Sequence, residues 1–279
     1  MTPYQERYGL PVPTPEAIAN EFITNLLKRT SRRKFLDRPL EPGVLELLIA
    51  AAQSAPTSGM LQTWSVIALT TPEEKAKLFH GPRNHSIIGF TDSQNTIAIN
   101  TASVVLIWLA DLSRLELILE NVGATDKTKT QITRAEYHLK AIIDATIAAQ
   151  TFFMAAESMD IVGTYCGAIR QLPIEFFERK FNLPKYTFPV FGTVHGYGTT
   201  GSYREMRPRP RLPLELVLHQ GTYNKMENLS QLDEYNKVHT QRSKPHLSTF
   251  EKRVVERLDP NRNKEAIGDA LRHMGFDFK

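Results

Sequence analysis

The stretch from about Thr133 to Met159 constrains this chain most. Ile142, Thr146, Ala149, Phe153 and Ala156 run down one side at helical spacing, and Ala145, Ala148, Phe152 and Ala155 are apolar as well. A helix that is apolar on most sides must be surrounded by other elements. The spacing therefore predicts a central helix with a layered domain built around it. The 279 residues are enough to bury a large core.

The surrounding elements are legible in outline. Thr14-Pro15 reads as a helix start, with Ile18, Phe22 and Leu26 as its apolar stripe and an end near Arg29. A second helix begins near Pro42, carries Val44, Leu47, Leu48, Ala51 and Ala52 on its buried face, and ends before Pro56. Thr71-Pro72-Glu73-Glu74 is a capping box. Ile174 to Phe181 is a short helix. Strands are expected at Trp64–Thr70, at the β-branched apolar run Val104–Ala110, at Phe188–Tyr197 and at Leu214–His219. Pro56–Gln62 reads as a loop, 80–96 as irregular and 121–131 as an exposed loop. Residues 1–13 read as an arm, and 225–279 as a polar, helical arm too weakly hydrophobic to fold alone. The whole reads as one domain, 1–279, with these two arms.

Composition narrows the class. Hydrophobic content of 41% and charged content of 23% are those of an ordinary globular protein. A net charge of +4 is too mild for a dedicated nucleic-acid binder and suits an anionic ligand. Cys166 is the only cysteine, which excludes an intrachain disulfide and fits a reducing compartment. The N-terminus is polar and proline-rich, and the longest apolar run, Ala102–Ala110, is strand-length, so a cytoplasmic location without membrane partners is expected. The histidines have no zinc spacing, so no metal site is expected. The P-loop and the G-x-S-x-G elbow are absent.

Four segments carry candidate chemistry, each with a plainer reading beside it. In R-T-S-R-R-K-F, Arg29, Ser31 and Arg33 can aim donors at one anion, or the segment is a basic helix end complementing the macrodipole. In Arg207–Pro213, alternating prolines hold the chain extended and put Arg209 and Arg211 on one side; the plainer reading is a stiff charged linker. Together the two clusters could clamp one phosphate. Pro56–Gln62 offers hydroxyls and amides suited to a planar heterocycle, or simply connects a helix to a strand. In G-T-Y-C-G-A-I-R, Gly167 and Ala168 leave room for a ligand. Cys166 has no basic neighbour in sequence and reads as a packed thiol.

In this order the segments resemble the FMN-dependent nitroreductase family, most closely its oxygen-insensitive NADPH nitroreductase and flavin reductase branch. R-T-S-R-R-K-F-L-D-R-P-L (29–40), A-A-Q-S-A-P-T-S-G-M-L-Q-T-W-S-V-I (51–67), A-A-E-S-M-D-I-V-G-T-Y-C-G-A-I-R (155–170), L-P-K-Y-T-F-P-V-F-G-T-V-H-G-Y-G (183–198) and R-P-R-L-P-L-E-L-V-L-H (209–219) carry the resemblance. It implies an α+β fold with a mixed, mostly antiparallel sheet flanked by helices, in an intertwined homodimer whose C-terminal arm embraces the partner.

It also implies FMN as cofactor, with NADPH or NADH as reductant. Hydride would pass through flavin N5 to a small-molecule acceptor such as a nitroaromatic, a quinone or free flavin, with no catalytic side chain required. Arg29, Ser31 and Arg33 would hold the phosphate and ribityl chain, with Arg209 and Arg211 closing on the phosphate from the other side. Thr57, Ser58 and Gln62 would line the isoalloxazine, and Tyr165, Cys166, Gly167 and Ala168 would present backbone near the reactive edge. Gln94 or Asn95 is the further polar contact.

Thr30 stands where the family usually has arginine, and Arg29 where histidine is frequent. Gly59 and Met60 stand where serine and a larger aromatic are frequent. His246, Lys252, Arg253 and Lys264 are candidates for gripping an NADPH 2′-phosphate. A flavin-binding sensor or a reductive dehalogenase would use the same fold. A nucleic-acid-binding module using the two basic segments is the reading outside it.

Overall fold

The computed structural model describes residues 2–9, 20–78, 94–199, 208–240, 249–259 and 267–276. In chain order the elements are α1 (Pro3–Tyr8), α2 (Glu21–Lys28), α3 (Val44–Gln53), β1 (Trp64–Leu69), α4 (Pro72–Ala76), α5 (Gln94–Thr101) and β2 (Val104–Asp111). There follow α6 (Ser113–Asn121), α7 (Asp126–Lys129), α8 (Ala135–Ser158), β3 (Ile161–Cys166), α9 (Ile174–Phe181), β4 (Thr187–Tyr197), α10 (Asp233–Thr240), α11 (Phe250–Arg257) and α12 (Ile267–His273). The chain groups into two compact units, Met1–Thr30 with Tyr203–Lys264, and Ser31–Ser202 with Glu265–Lys279.

The second unit is built on a four-stranded sheet of order β1-β2-β4-β3. The sequence points to a mixed, mostly antiparallel sheet; every ladder among the described residues is antiparallel. Strand β2 is buried along its whole length because both faces of the sheet are covered. Its side chains alternate. Val104, Leu106 and Trp108 pack with Leu48 and Ala52 of α3 and Ala148, Ala149, Phe152 and Ala156 of α8. Val105, Ile107 and Leu109 join the opposite cluster with Ile99, Phe176, Phe177 and Phe188. Each of these large side chains contributes on the order of 2–3 kcal/mol by leaving water. The buried indole of Trp108 donates to the Thr193 hydroxyl at 2.9 Å, so its polar edge is satisfied.

Helix α8 is the expected central helix, two residues shorter at its start and one at its end. Among the described helices it is long and apolar enough to span a bilayer, but its face from Ala141 to Ala156 lies in the core. The capping box at α4 forms as read. Thr71 Oγ1 accepts from the Glu74 amide at 3.2 Å, and Glu74 Oε2 accepts from the Thr71 amide at 3.1 Å.

Several expectations are corrected. Residues 3–8 are helical rather than part of an arm, because Thr2 and Gln5 form a reciprocal cap ahead of Pro3. The stripe on α2 is not a core face in this chain, since Phe22 is exposed. Leu47 is exposed too, while Leu48 and Ala52 are buried. The loop expected at 121–131 contains α7, capped by Thr125.

Strand β3 was missed, because Gly163 weakens its strand signal. A Cβ at Gly163 would lie 2.5 Å from the Val194 carbonyl oxygen, so close pairing with β4 requires glycine. The strand expected at Leu214–His219 is instead a short 3-10 turn over Leu214–Leu216. The described part of the first unit is helices and loops, and a strand forms only where another offers its backbone groups.

The irregular stretch read over 80–96 falls largely outside the described residues; its end, from Gln94, is helical. The helix start at Thr14-Pro15 also lies outside them.

The polar C-terminal segment contributes to the second unit's core. Leu271, Met274 and Phe276 are buried there, and the Tyr186 amide donates to the Met274 carbonyl at 2.8 Å. Gly275 makes this return possible. It has φ +92°, and a Cβ would meet the Tyr186 ring at 2.6 Å.

Candidate functional site

The first unit gathers arginines around one buried member, Arg7 of α1. Its Nε donates to the Leu27 carbonyl at 2.7 Å, and Nη2 to the Arg29 carbonyl at 2.7 Å. These are acceptors at and beyond the C-terminal end of α2, where helical carbonyls lack intrahelical partners. Its Nη1 donates to the Arg209 carbonyl at 3.3 Å, and the Arg7 carbonyl accepts from the Arg211 amide at 3.0 Å. The end of α2 and the Pro208–Pro213 segment are thereby tied to one side chain.

Within that segment Pro208 and Pro210 are buried while Arg209 and Arg211 are exposed, so the prolines face inward and both arginines outward. Arg211 Nη1 donates to the carbonyls of Arg209 and Pro210, both at 3.1 Å.

Positive charge accumulates here. Burial first, then the charge of Arg211, draws the Arg7 pKa below its ordinary value; Tyr8 acts the other way, and Arg29 adds a smaller lowering. Burial raises the Tyr235 phenol, while Arg253, Arg211 and Arg209 act to lower it. Arg29, Arg209 and Arg211, chosen from sequence, are thus brought together. Arg7 was missed because its segment read as an arm; the signal was the capping box at Thr2. Arg253 stands on α11 with Lys252; His246 and Lys264 lie outside the described residues.

In the second unit the segment from Ser31 runs beside β3 and β4. The Arg32 amide donates to the Gly163 carbonyl at 2.8 Å, Phe35 bridges Gly198, and the Leu36 amide donates to the Tyr197 carbonyl at 2.8 Å. This buries Arg32 and Phe35 and leaves Ser31 and Arg33 half-buried. Arg33 lies close enough to the end of β3 for its charge to act on Cys166.

The Cys166 thiol is pushed up to about 11, chiefly by burial; amide bonds from Ala168 and Ile169, then Arg33 and Arg170, pull it down less strongly. A thiol so held is not a nucleophile near neutral pH. The Tyr165 hydroxyl donates to Gln150 at 3.0 Å, and its ring stacks on Phe153 at 5.2 Å. Its side chain therefore serves packing, and only its backbone is left for a ligand. Gly167 is exposed and Ala168 half-buried.

The loop carrying Thr57, Ser58 and Gln62 is held by a residue that the sequence reading passed over, Asp144 of α8. Its carboxylate accepts from the Thr57 hydroxyl, from the Ser58 amide at 2.9 Å, and from the Thr63 hydroxyl and amide at 2.9 and 3.3 Å. Burial pushes this carboxyl upward, but those donors outweigh it, and its pKa lies below the ordinary value. The available signal was the single acid within the apolar stretch Ala141–Ala156 of that helix.

Thr57 Oγ1 also accepts from the Gln62 amide at 2.9 Å. Met60 and Gln62 have φ of 59° and 53°, a left-handed conformation costly for non-glycine residues. Arg114 secures the loop's far end, donating to the carbonyls of Gln62 at 2.7 Å and Trp64 at 2.8 Å. Thr57, Met60, Leu61, Gln62, Trp64 and Arg114 line a cavity of about 720 Å³, within the size range of small-molecule sites. Gln94 and Asn95 open α5; their side chains lie outside the described residues.

The arrangement offers two kinds of chemistry. One is a multi-arginine surface for a strong anion; the other is a rigid polar loop beside a ligand-sized cavity. The model of the nitroreductase family matches residues 26–197, and that of the nitroreductase family C-terminal domain matches 209–279. A CR(VI) reductase of Pseudomonas sp. (strain G-1) is 31% identical over 92% of this chain and 100% of its own length. An FMN reductase [NAD(P)H] of Bacillus subtilis is 34% identical over 76% of this chain and 78% of its own. The solved structure of NfrA1 nitroreductase from B. subtilis superposes with a TM-score of 0.77 at 25% identity, covering 92% of this chain and 99% of that one. With family models matching nearly its whole length, the chain belongs to the nitroreductase family.

Proposed function

We propose that the protein is an FMN-dependent oxidoreductase that takes reducing equivalents from NADPH or NADH and passes them to a small acceptor: a nitroaromatic, a quinone or a free flavin. The observation that carries this reading is the gathering of Arg29, Arg209 and Arg211 around buried Arg7. Such a donor set fits a phosphate monoester dianion, because guanidinium forks stay charged and match phosphate geometry. A relative bearing the name FMN reductase supports the choice of flavin. When bound, FMN would supply the two-electron exchange, and the protein the binding and orientation.

In this reading Arg29, Arg209 and Arg211 hold the phosphate, with Ser31 and Arg33 on the phosphate and ribityl chain. Thr57, Ser58 and Gln62 orient the ring, kept in place by Asp144 and Arg114. The backbone of Tyr165–Ala168 and Gln94 complete the set. The Cys166 thiol stays protonated and takes no part.

The working molecule is a homodimer in the cytoplasm. Exposed Leu139 and Ile143 on α8, and Leu117, Ile118 and Val122 from α6 onward, are apolar surface that a partner would cover. Helices α10 and α11 of the C-terminal arm extend onto that partner, while residues 267–276 pack in this chain's own core.

The test is direct. Purified protein should carry or take up FMN, bleach on anaerobic addition of NADPH or NADH, and regain colour with one of the named acceptors. A colourless protein that ignores added FMN overturns the proposal. Reduction without any reoxidising acceptor would favour a flavin-binding sensor.

A further inference from the structure

Arg7 is an expensive residue to keep where it is. Its guanidinium is buried, and two other guanidinium groups stand near enough to depress its pKa. Packing alone would be served by an apolar side chain without desolvating a cation. What an apolar residue cannot do is bind four carbonyls. Arg7 reaches Leu26, Leu27 and Arg29 on one side and Arg209 on the other, at 3.5, 2.7, 2.7 and 3.3 Å. The two segments it joins stand 22 and 202 residues away in sequence.

Two of these four carbonyls belong to Arg29 and Arg209, themselves assigned to the phosphate. The Arg7 carbonyl also takes the amide of Arg211, the third. One residue therefore contacts the backbone of all three phosphate-binding arginines. We propose that Arg7 is a positioning residue for the phosphate site: it fixes the backbones of Arg29, Arg209 and Arg211 relative to one another and does not itself touch the ligand.

This rests on the FMN reading and adds a specific consequence to it. Three like charges held close repel, and a bound dianion relieves that repulsion. The preorganisation set by Arg7 should therefore favour ligands that carry phosphate and be indifferent to the ring. Lysine should not replace it, since one ammonium cannot span two chain segments as a planar fork does. Its chain neighbour Gly9 supports a fixed placement. It has φ +71°, and a Cβ there would lie 2.8 Å from Val238 of α10.

The experiment compares FMN with riboflavin, which has the same ring and no phosphate. Flavin-stripped full-length protein, Arg7→Lys and Arg7→Met are titrated with each flavin by fluorescence quenching, and folding is checked by circular dichroism and gel filtration. Wild type should bind FMN far more tightly than riboflavin. Both variants should weaken FMN about tenfold or more while leaving riboflavin unchanged, the loss expected when a charged hydrogen-bond network is disturbed.

If folded variants keep the wild-type preference for FMN, the inference fails. It fails equally if both flavins weaken by the same factor, because that marks a general structural role. Should Arg7→Met not fold, Arg7→Lys, which keeps the charge, decides by the same ratio. Wild type that does not bind FMN sinks the flavoprotein reading itself, which separates the two failures.

Discussion

The amide of Ser58 donates to Asp144 Oδ1 at 2.9 Å, joining the loop between α3 and β1 to the middle of α8. The same carboxylate takes both polar hydrogens of Thr63 and the Thr57 hydroxyl. The long central helix thus uses its buried acid to shape a loop that includes two left-handed non-glycine residues.

Asp144→Ala should cost about 3 kcal/mol, because four donors lose their acceptor in a site with little water. Urea unfolding checks this. The variant should also loosen the loop, so FMN binding should weaken along with stability. Since the folded carboxyl sits below its ordinary value, its contribution is complete above that value and is lost as pH falls through the lower, folded one. Asp144→Asn should therefore flatten the acid limb of the stability curve below about pH 4. An unchanged urea midpoint for Asp144→Ala would remove the residue from this role.

His138 gives a second pH dependence, in a different window. It is buried on α8 against Phe276, with ring centroids 4.3 Å apart, and Phe188 at 6.1 Å. Burial lowers its pKa from 6.5 to about 4. The folded chain then keeps the ring neutral while the unfolded chain takes up a proton below 6.5. The contribution is present in full above 6.5 and lost as pH falls towards 4, amounting to about 3 kcal/mol. The stability difference between wild type and His138→Phe should shrink or reverse steadily over that window. A difference constant from pH 7 to pH 4 would contradict the shifted value.

Cys166 should be inert. A buried thiol pushed up to about 11 carries almost no thiolate at pH 8. Iodoacetamide should leave it unmodified in the native protein and label it once urea unfolds the chain, as mass spectrometry would read. Cys166→Ala should retain turnover within about twofold, a small change in barrier. Fast native labelling, or loss of turnover with bound flavin retained, would restore a chemical role for the thiol.

How much was legible follows from how far each interaction reaches along the chain. The Thr71–Glu74 cap, the continuous apolar run of β2, the span of α8 and the helix at Ile174–Phe181 are set by neighbours a few residues apart, and the sequence by itself determined them. The arginine, proline and glycine segments likewise carried the family resemblance, since residue types and their order suffice for that.

Only the tertiary structure decided which groups meet. Asp144 finds Thr63 across 81 residues and Arg7 finds Arg209 across 202. Leu271, Met274 and Phe276 of a polar tail enter the core, and Leu214–His219 forms no strand among the described residues. Local propensity is blind to such outcomes. A buried acid or a strand-like run becomes stable only when a partner from elsewhere in the chain supplies the donors, acceptors or apolar surface it needs.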